Sequence, residues 1–140
     1  MGIDAAIFAK NARRFFYFDR SYNFLPGDLP KNFALRYHVW TMETEPHTKV
    51  FDVETALRVV KGLTSEEVQN HARFCQAEWK KSFVETNQDG HRISWNEKIE
   101  EFAKLFPDDR FFIADDSYEP SWHDFKDAGF VEWLPEGWTA

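Results

Sequence analysis

An α+β domain is what the sequence predicts: a small mixed β-sheet, built from an N-terminal hairpin and the C-terminal strands, packed against a middle layer of about three helices. Three observations carry this expectation. Short apolar runs (IDAAIFA, RRFFYFD, RFFIA, FVEWL) lie near the two ends of the chain. In the middle, apolar residues recur every three or four positions, the spacing of one helix face. The chain of 140 residues also carries 15 Phe, 6 Trp and 4 Tyr, enough large rings to build a core without disulfides or metals. That length reads as a single domain spanning residues 1–140.

The first two runs read as a β-hairpin turning around Asn11, a residue type that tolerates the left-handed conformation of tight turns. In the second run Phe15 and Tyr17 point one way and Phe16 and Phe18 the other, so that strand is expected to be covered on both sides. NFLPGDLPKN (23–32) reads as a loop. ALRYHVWTM (34–42) fits either a strand or a helix and leans to strand. TKVF (48–51) fits a short strand.

Three helices follow. Asp52 is placed to cap the first, whose stripe is Val53, Ala56, Leu57 and Val60, with Gly62 as its stop. Thr64 and Glu67 have the spacing of a capping box. The helix behind them carries Val68, Ala72, Cys75, Trp79 and Phe83 on one face. NQDG (87–90) reads as a break, and Ser94 with Glu97 as a second capping box. Trp95, Ile99, Phe102 and Phe106 then step along the third helix to Pro107. All the middle helices are expected on one face of the sheet.

The last stretch reads as strand (RFFIA), acidic loop, short helix capped by Ser121 and ended by Gly129, and strand (FVEWL). Two strands joined in this way should run parallel if they share a sheet. The acidic loop then falls at the carboxyl end of a strand, where α/β sheets often bind ligands.

Charge sharpens the interest in that stretch. The net charge is −7, and residues 107–140 hold nine acidic residues against Arg110 and Lys126. The first 106 residues are therefore neutral. Such asymmetry suits a cationic partner, although an acidic face can also serve solvation alone.

Enzyme signatures are absent. The sequence has no G-x-S-x-G, no phosphate-binding glycine loop, no H-E-x-x-H and no C-x-x-C. No two of the five histidines have the spacing that puts two ligands on one helix face. The one cysteine, Cys75, falls in an apolar stripe and reads as core. A lone cysteine suits a reducing compartment, and the first residues lack the apolar core of a signal peptide. A cytoplasmic protein with no membrane span is expected. Basic residues are dispersed, so direct nucleic-acid binding is not expected either.

Two functions follow as expectations. The first is a non-enzymatic, acidic protein-binding module of the inhibitor, immunity or anti-defence type. It would engage a basic partner surface through its acidic and aromatic C-terminal quarter, with Asp115, Asp116, Glu119, Trp122, His123 and Trp138 as binding residues and no cofactor. Asp19, Arg20 and Tyr22 form a second place to look. The alternative is a small metal-dependent or acid–base hydrolase-like enzyme using Asp115, Asp116 and His123, since carboxylates beside a histidine can bind a divalent ion or move a proton.

Overall fold

The computed structural model describes residues 4–18, 52–81, 87–116 and 120–136. The segments 23–32, 34–42 and 48–51, together with Asp19, Arg20, Tyr22, Phe83, Glu119 and Trp138, lie outside the described residues.

Strands β1 (Ala5–Ala9) and β2 (Arg14–Phe18) form the expected antiparallel hairpin, with Ala5 opposite Phe18 and Ala9 opposite Arg14. The chain next described is helix α1 (Val53–Val59), then the two-residue strand β3 (Leu63–Thr64) and helix α2 (Ser65–Lys81). Helix α3 (Asn87–Leu105), strand β4 (Arg110–Asp115), helix α4 (Trp122–Asp127) and strand β5 (Val131–Glu132) complete the order. The sheet runs β3-β4-β1-β2-β5 and is α+β in class, with strands from both ends of the chain and helices from the middle.

Every neighbouring pair is antiparallel except β2 with β5. Strands β4 and β5 therefore run in the same direction, as the crossover through α4 requires, but β1 and β2 lie between them.

The helices do not share one face, contrary to expectation. Helices α2 and α3 cover a core of Ala5, Ile7, Ala9, Phe16, Phe18, Phe111 and Ile113. Helices α1 and α4 cover the other face, where Ala56, Leu57, Trp122 and Phe125 meet Ala6, Phe8, Phe15, Phe112 and Ala114. The reason is visible in the strands: β1 has no exposed residue at all, and β4 carries Phe111 and Phe112 on opposite sides. A sheet with rings on both faces needs a layer on each.

The second core is organised around Phe8. Its ring lies 5.2 Å from Phe112, 5.5 Å from Phe15, 5.0 Å from Phe125 and 5.3 Å from Phe130. In the first core the predicted stripes hold: Val68, Ala72 and Cys75 are buried, as are Ile99 and Phe102, with Trp79, Trp95 and Phe106 packed against them. Burial also pushes the Cys75 thiol up to about 12, so the sulfur is inert packing.

Helix ends obey local chemistry in most cases. Asp52 accepts from the Thr55 amide at 2.7 Å. Thr64 and Glu67 make the reciprocal bonds of a capping box, at 3.0 and 3.2 Å. Helix α4 closes as a Schellman turn: Phe130 N–H donates to Phe125 O, Gly129 N–H donates to Lys126 O, and Gly129 has φ +111°. The rings of Phe125 and Phe130 then meet edge to face at 5.6 Å, the apolar contact that accompanies that motif.

Two local expectations fail. NQDG is not a break, because α3 already begins at Asn87 and Ser94 lies inside it. One glycine costs a helix only about 1 kcal/mol, which the packing of a long helix outweighs. The left-handed residue of the hairpin turn is Arg13 (φ 55°), not Asn11. That conformation costs roughly 1–2 kcal/mol. The Arg13 side chain helps to hold it, reaching Glu54 at 3.2 Å and lying 5.1 Å over the Phe130 ring. Gly62 (φ +72°) serves less as a helix stop than as a close approach, since a Cβ there would come within 2.7 Å of Phe111 O.

Phe8→Ala should destabilise the protein by about 3–5 kcal/mol in urea unfolding, the range for emptying a well-packed aromatic site. A loss below about 1 kcal/mol would mean that the second core is loosely filled.

Candidate functional site

The carboxyl end of β4 is where the described members of the predicted site lie. Asp115 is the last residue of the strand and is 8% exposed, opposite Ala5 of β1. Asp116 follows and is exposed, and its N–H donates to Asp4 O at 3.1 Å. Asp4 thus joins the acidic pair from the far end of the sequence. Nothing in the linear pattern placed it there; strand pairing alone does.

Helix α4 begins beside this edge. The Ser121 N–H and hydroxyl both donate to the Asp124 carboxylate, at 2.8 and 3.3 Å, so Asp124 works as part of the helix cap. Trp122 is 8% exposed and packs on Tyr17 at 4.8 Å and Phe15 at 6.3 Å. Its ring belongs to the second core, and its indole N–H has no acceptor among the described residues. His123 is exposed and lies against the Trp122 ring at 3.9 Å. The structure therefore brings Asp115, Asp116, Trp122 and His123 to one end of the sheet; Glu119 and Trp138 lie outside the described residues.

Asp115, Asp116 and His123 do not form a ligand set. Among the described residues no three His, Cys, Asp or Glu side chains come together in a group able to hold a metal ion.

The rest of the acidic quarter is elsewhere. Asp108 and Asp109 precede β4 and lie at the hairpin-turn end of the sheet, separated from Asp115 by the length of the strand, roughly 17 Å. Asp127 ends α4 just before Val131, whose N–H donates to Arg13 O at that same end. Residues that are neighbours in sequence are thus divided between two ends of the molecule.

Asp109 has a separate task. Its carboxylate is 8% exposed and accepts four hydrogen bonds: from the Asn11 N–H and Asn11 Nδ2 at 2.9 Å each, from the Ala12 N–H at 2.8 Å and from the Arg110 N–H at 2.8 Å. It ties the β1–β2 turn to the entry of β4. Nearby, Lys10 Nζ donates to Val60 O at 2.9 Å. Burial lowers the Lys10 pKa, against the adjacent Asp109 charge, which raises it.

His71 lies on α2 with its Nε2 3.7 Å from Cys75 Sγ. Burial pushes its pKa down to about 4. No helix among the described residues is long and apolar enough to cross a membrane.

Comparison with known proteins returned no matching family model, no matching curated protein and no matching solved structure.

Two outcomes test this geometry. Asp109→Ala should cost on the order of 2–3 kcal/mol in urea unfolding, the scale of losing hydrogen bonds to a charged group. Asp116→Ala, at an exposed carboxylate, should stay within about 0.5 kcal/mol. His71 predicts a pH dependence. Its folded pKa lies below its unfolded one, so the unfolded chain binds the proton first. Its effect on stability is absent above pH 6.5 and grows as destabilisation while pH falls from 6.5 toward about 4. His71→Gln should flatten the stability–pH curve in that window, read by denaturant midpoints against the parent protein.

Proposed function

We propose that the protein is a non-enzymatic binding module of the inhibitor, immunity or anti-defence type, engaging a basic surface of a partner protein through its acidic C-terminal quarter. The observation that carries this reading is the strand pairing that sets Asp4 beside the exposed Asp116 at the end of the sheet where β4 finishes. Charge that the sequence concentrates in one quarter is there reinforced by a carboxylate from the N-terminus.

Charge of this kind steers a basic partner and discriminates against acidic ones. Within the proposed surface Asp116 and Glu119 supply field, His123 supplies an exposed ring, and Trp138 supplies an aromatic anchor. Trp122 contributes by supporting His123 from beneath, because its own ring is buried. The single cysteine, buried as a thiol, supports a cytoplasmic setting for the interaction. Dispersed basic residues argue against nucleic acid as the direct partner.

The partner is to be found by affinity capture and mass spectrometry, and binding then followed kinetically. Asp4→Lys with Asp116→Lys should slow association at least about tenfold at low salt. The loss should shrink at 1 M salt, where the Debye length is about 3 Å. Trp138→Ala should instead speed dissociation, since an anchor's contacts form after docking. Unchanged kinetics in both variants, with folding intact by circular dichroism, would overturn the reading.

A further inference from the structure

The opposite end of the sheet carries a feature that the acidic end does not. Between the β1–β2 turn and the turn that enters β4 lies an open depression of about 290 Å³, lined by Asn11, Phe106, Pro107, Asp108 and Asp109. Its walls are set by local chemistry. Asp109 N–H donates to Phe106 O at 3.1 Å, closing a β-turn with Pro107 in the position where proline's fixed φ is favourable. The Asp109 carboxylate then clasps the facing turn through Asn11 and Ala12. Both walls are therefore held before anything binds.

The polar groups left over at this depression are acceptors. Asp108 is exposed and makes no ion pair among the described residues. Asn11 Nδ2 is committed to Asp109, which leaves the Asn11 side-chain carbonyl without a donor among the described residues. Among the described residues Asp109 Oδ2 accepts from Ala12 N–H alone and keeps a lone pair. Among the described residues no cationic side chain lines the depression. Lys10 is turned to Val60 O instead. Phe106, whose ring meets Phe102 edge to face at 5.3 Å, is the aromatic residue of the lining.

We propose that this depression receives the guanidinium of an arginine side chain from a partner protein. The match is chemical. Guanidinium is planar, carries five donors and no acceptor, and stacks on aromatic rings. An ammonium is a compact, strongly hydrated charge that leaves the aromatic residue unused. A metal ion fits less well, because Asp109 already accepts four hydrogen bonds and no three-ligand group exists among the described residues. The inference rests on the reading that the partner is basic, and it adds a second contact at the end remote from Asp116.

The test needs no partner. The full chain, labelled with ¹⁵N, is titrated with N-acetyl-arginine methylamide and, separately, with the lysine analogue. Saturable shifts are expected for the Asn11 side-chain amide and the Asp108 and Asp109 backbone amides. They should be several-fold weaker for the lysine probe, absent in Asp108→Lys, reduced in Asp108→Asn, and unaffected by Asp116→Lys. Linear, unsaturated shifts at these positions, equal response to both probes, or arginine shifts confined to the Asp116 end would each overturn the inference. Because the probe is a free amino-acid derivative, such a failure leaves the partner experiment with Asp4 and Asp116 standing on its own result.

Discussion

Strand β1 is buried along its whole length, and the rest of the molecule is arranged to keep it so. Its five residues, Ala5–Ala9, are all at 0% exposure. A strand buried on both faces and paired on both edges must have neighbours in four directions. The hairpin supplies β2 on one edge and the C-terminal half supplies β4 on the other. The α2–α3 pair closes one face, and α1 with α4 closes the other. Small residues at 5, 6 and 9 let the layers come close, while Ile7 and Phe8 fill the two cores. Hydrophobic burial of this kind is the main stabilising term of a domain.

Backbone pairing holds the middle of β1, but its turn is exposed to water and would fray without help. The Asp109 carboxylate provides it by collecting amide donors from both the hairpin turn and the β4 entry. A partly buried carboxylate with four donors is well compensated for leaving water. The Arg13 contacts with Glu54 and Phe130 brace the same turn from the other face. The exposed ion pair adds little by itself, so the ring contact is the better support. One end of the sheet is in this way made rigid by hydrogen bonds.

The other end carries Asp4, Asp115 and Asp116. The exposed Asp116 follows directly on a strand whose own position is fixed by the core. Surface charge on a rigid frame costs little ordering entropy when a partner arrives. The short edge strand β5 is guarded by different means. Arg14 donates to Val131 O and Glu132 O, at 3.2 and 3.4 Å, and the strand is only two residues long. Such an edge, despite exposed Val131 and Leu134, offers little template for pairing with another chain.

The sequence by itself determined the local elements. Short apolar runs bounded by turn signals predicted the hairpin and β4, and period-3.6 stripes predicted which sides of α2 and α3 turn inward. Asp52, Thr64 with Glu67, and Gly129 marked helix ends because capping depends on residues three or four apart. The acidic loop and its place after a strand were legible for the same reason. Only the tertiary structure decided what depends on distant residues. The layer on each face, the wide separation of β4 from β5, and the start of α3 across Gly90 follow from packing between elements. Trp122 looked like a surface anchor by its acidic neighbours, yet its ring is core because Tyr17 and Phe15 lie beneath it. Asp4 and Asp109 carried no local signal. Their partners are about one hundred residues away in sequence, and a contact at that separation is set by the register of a sheet, which no window of neighbouring residues contains.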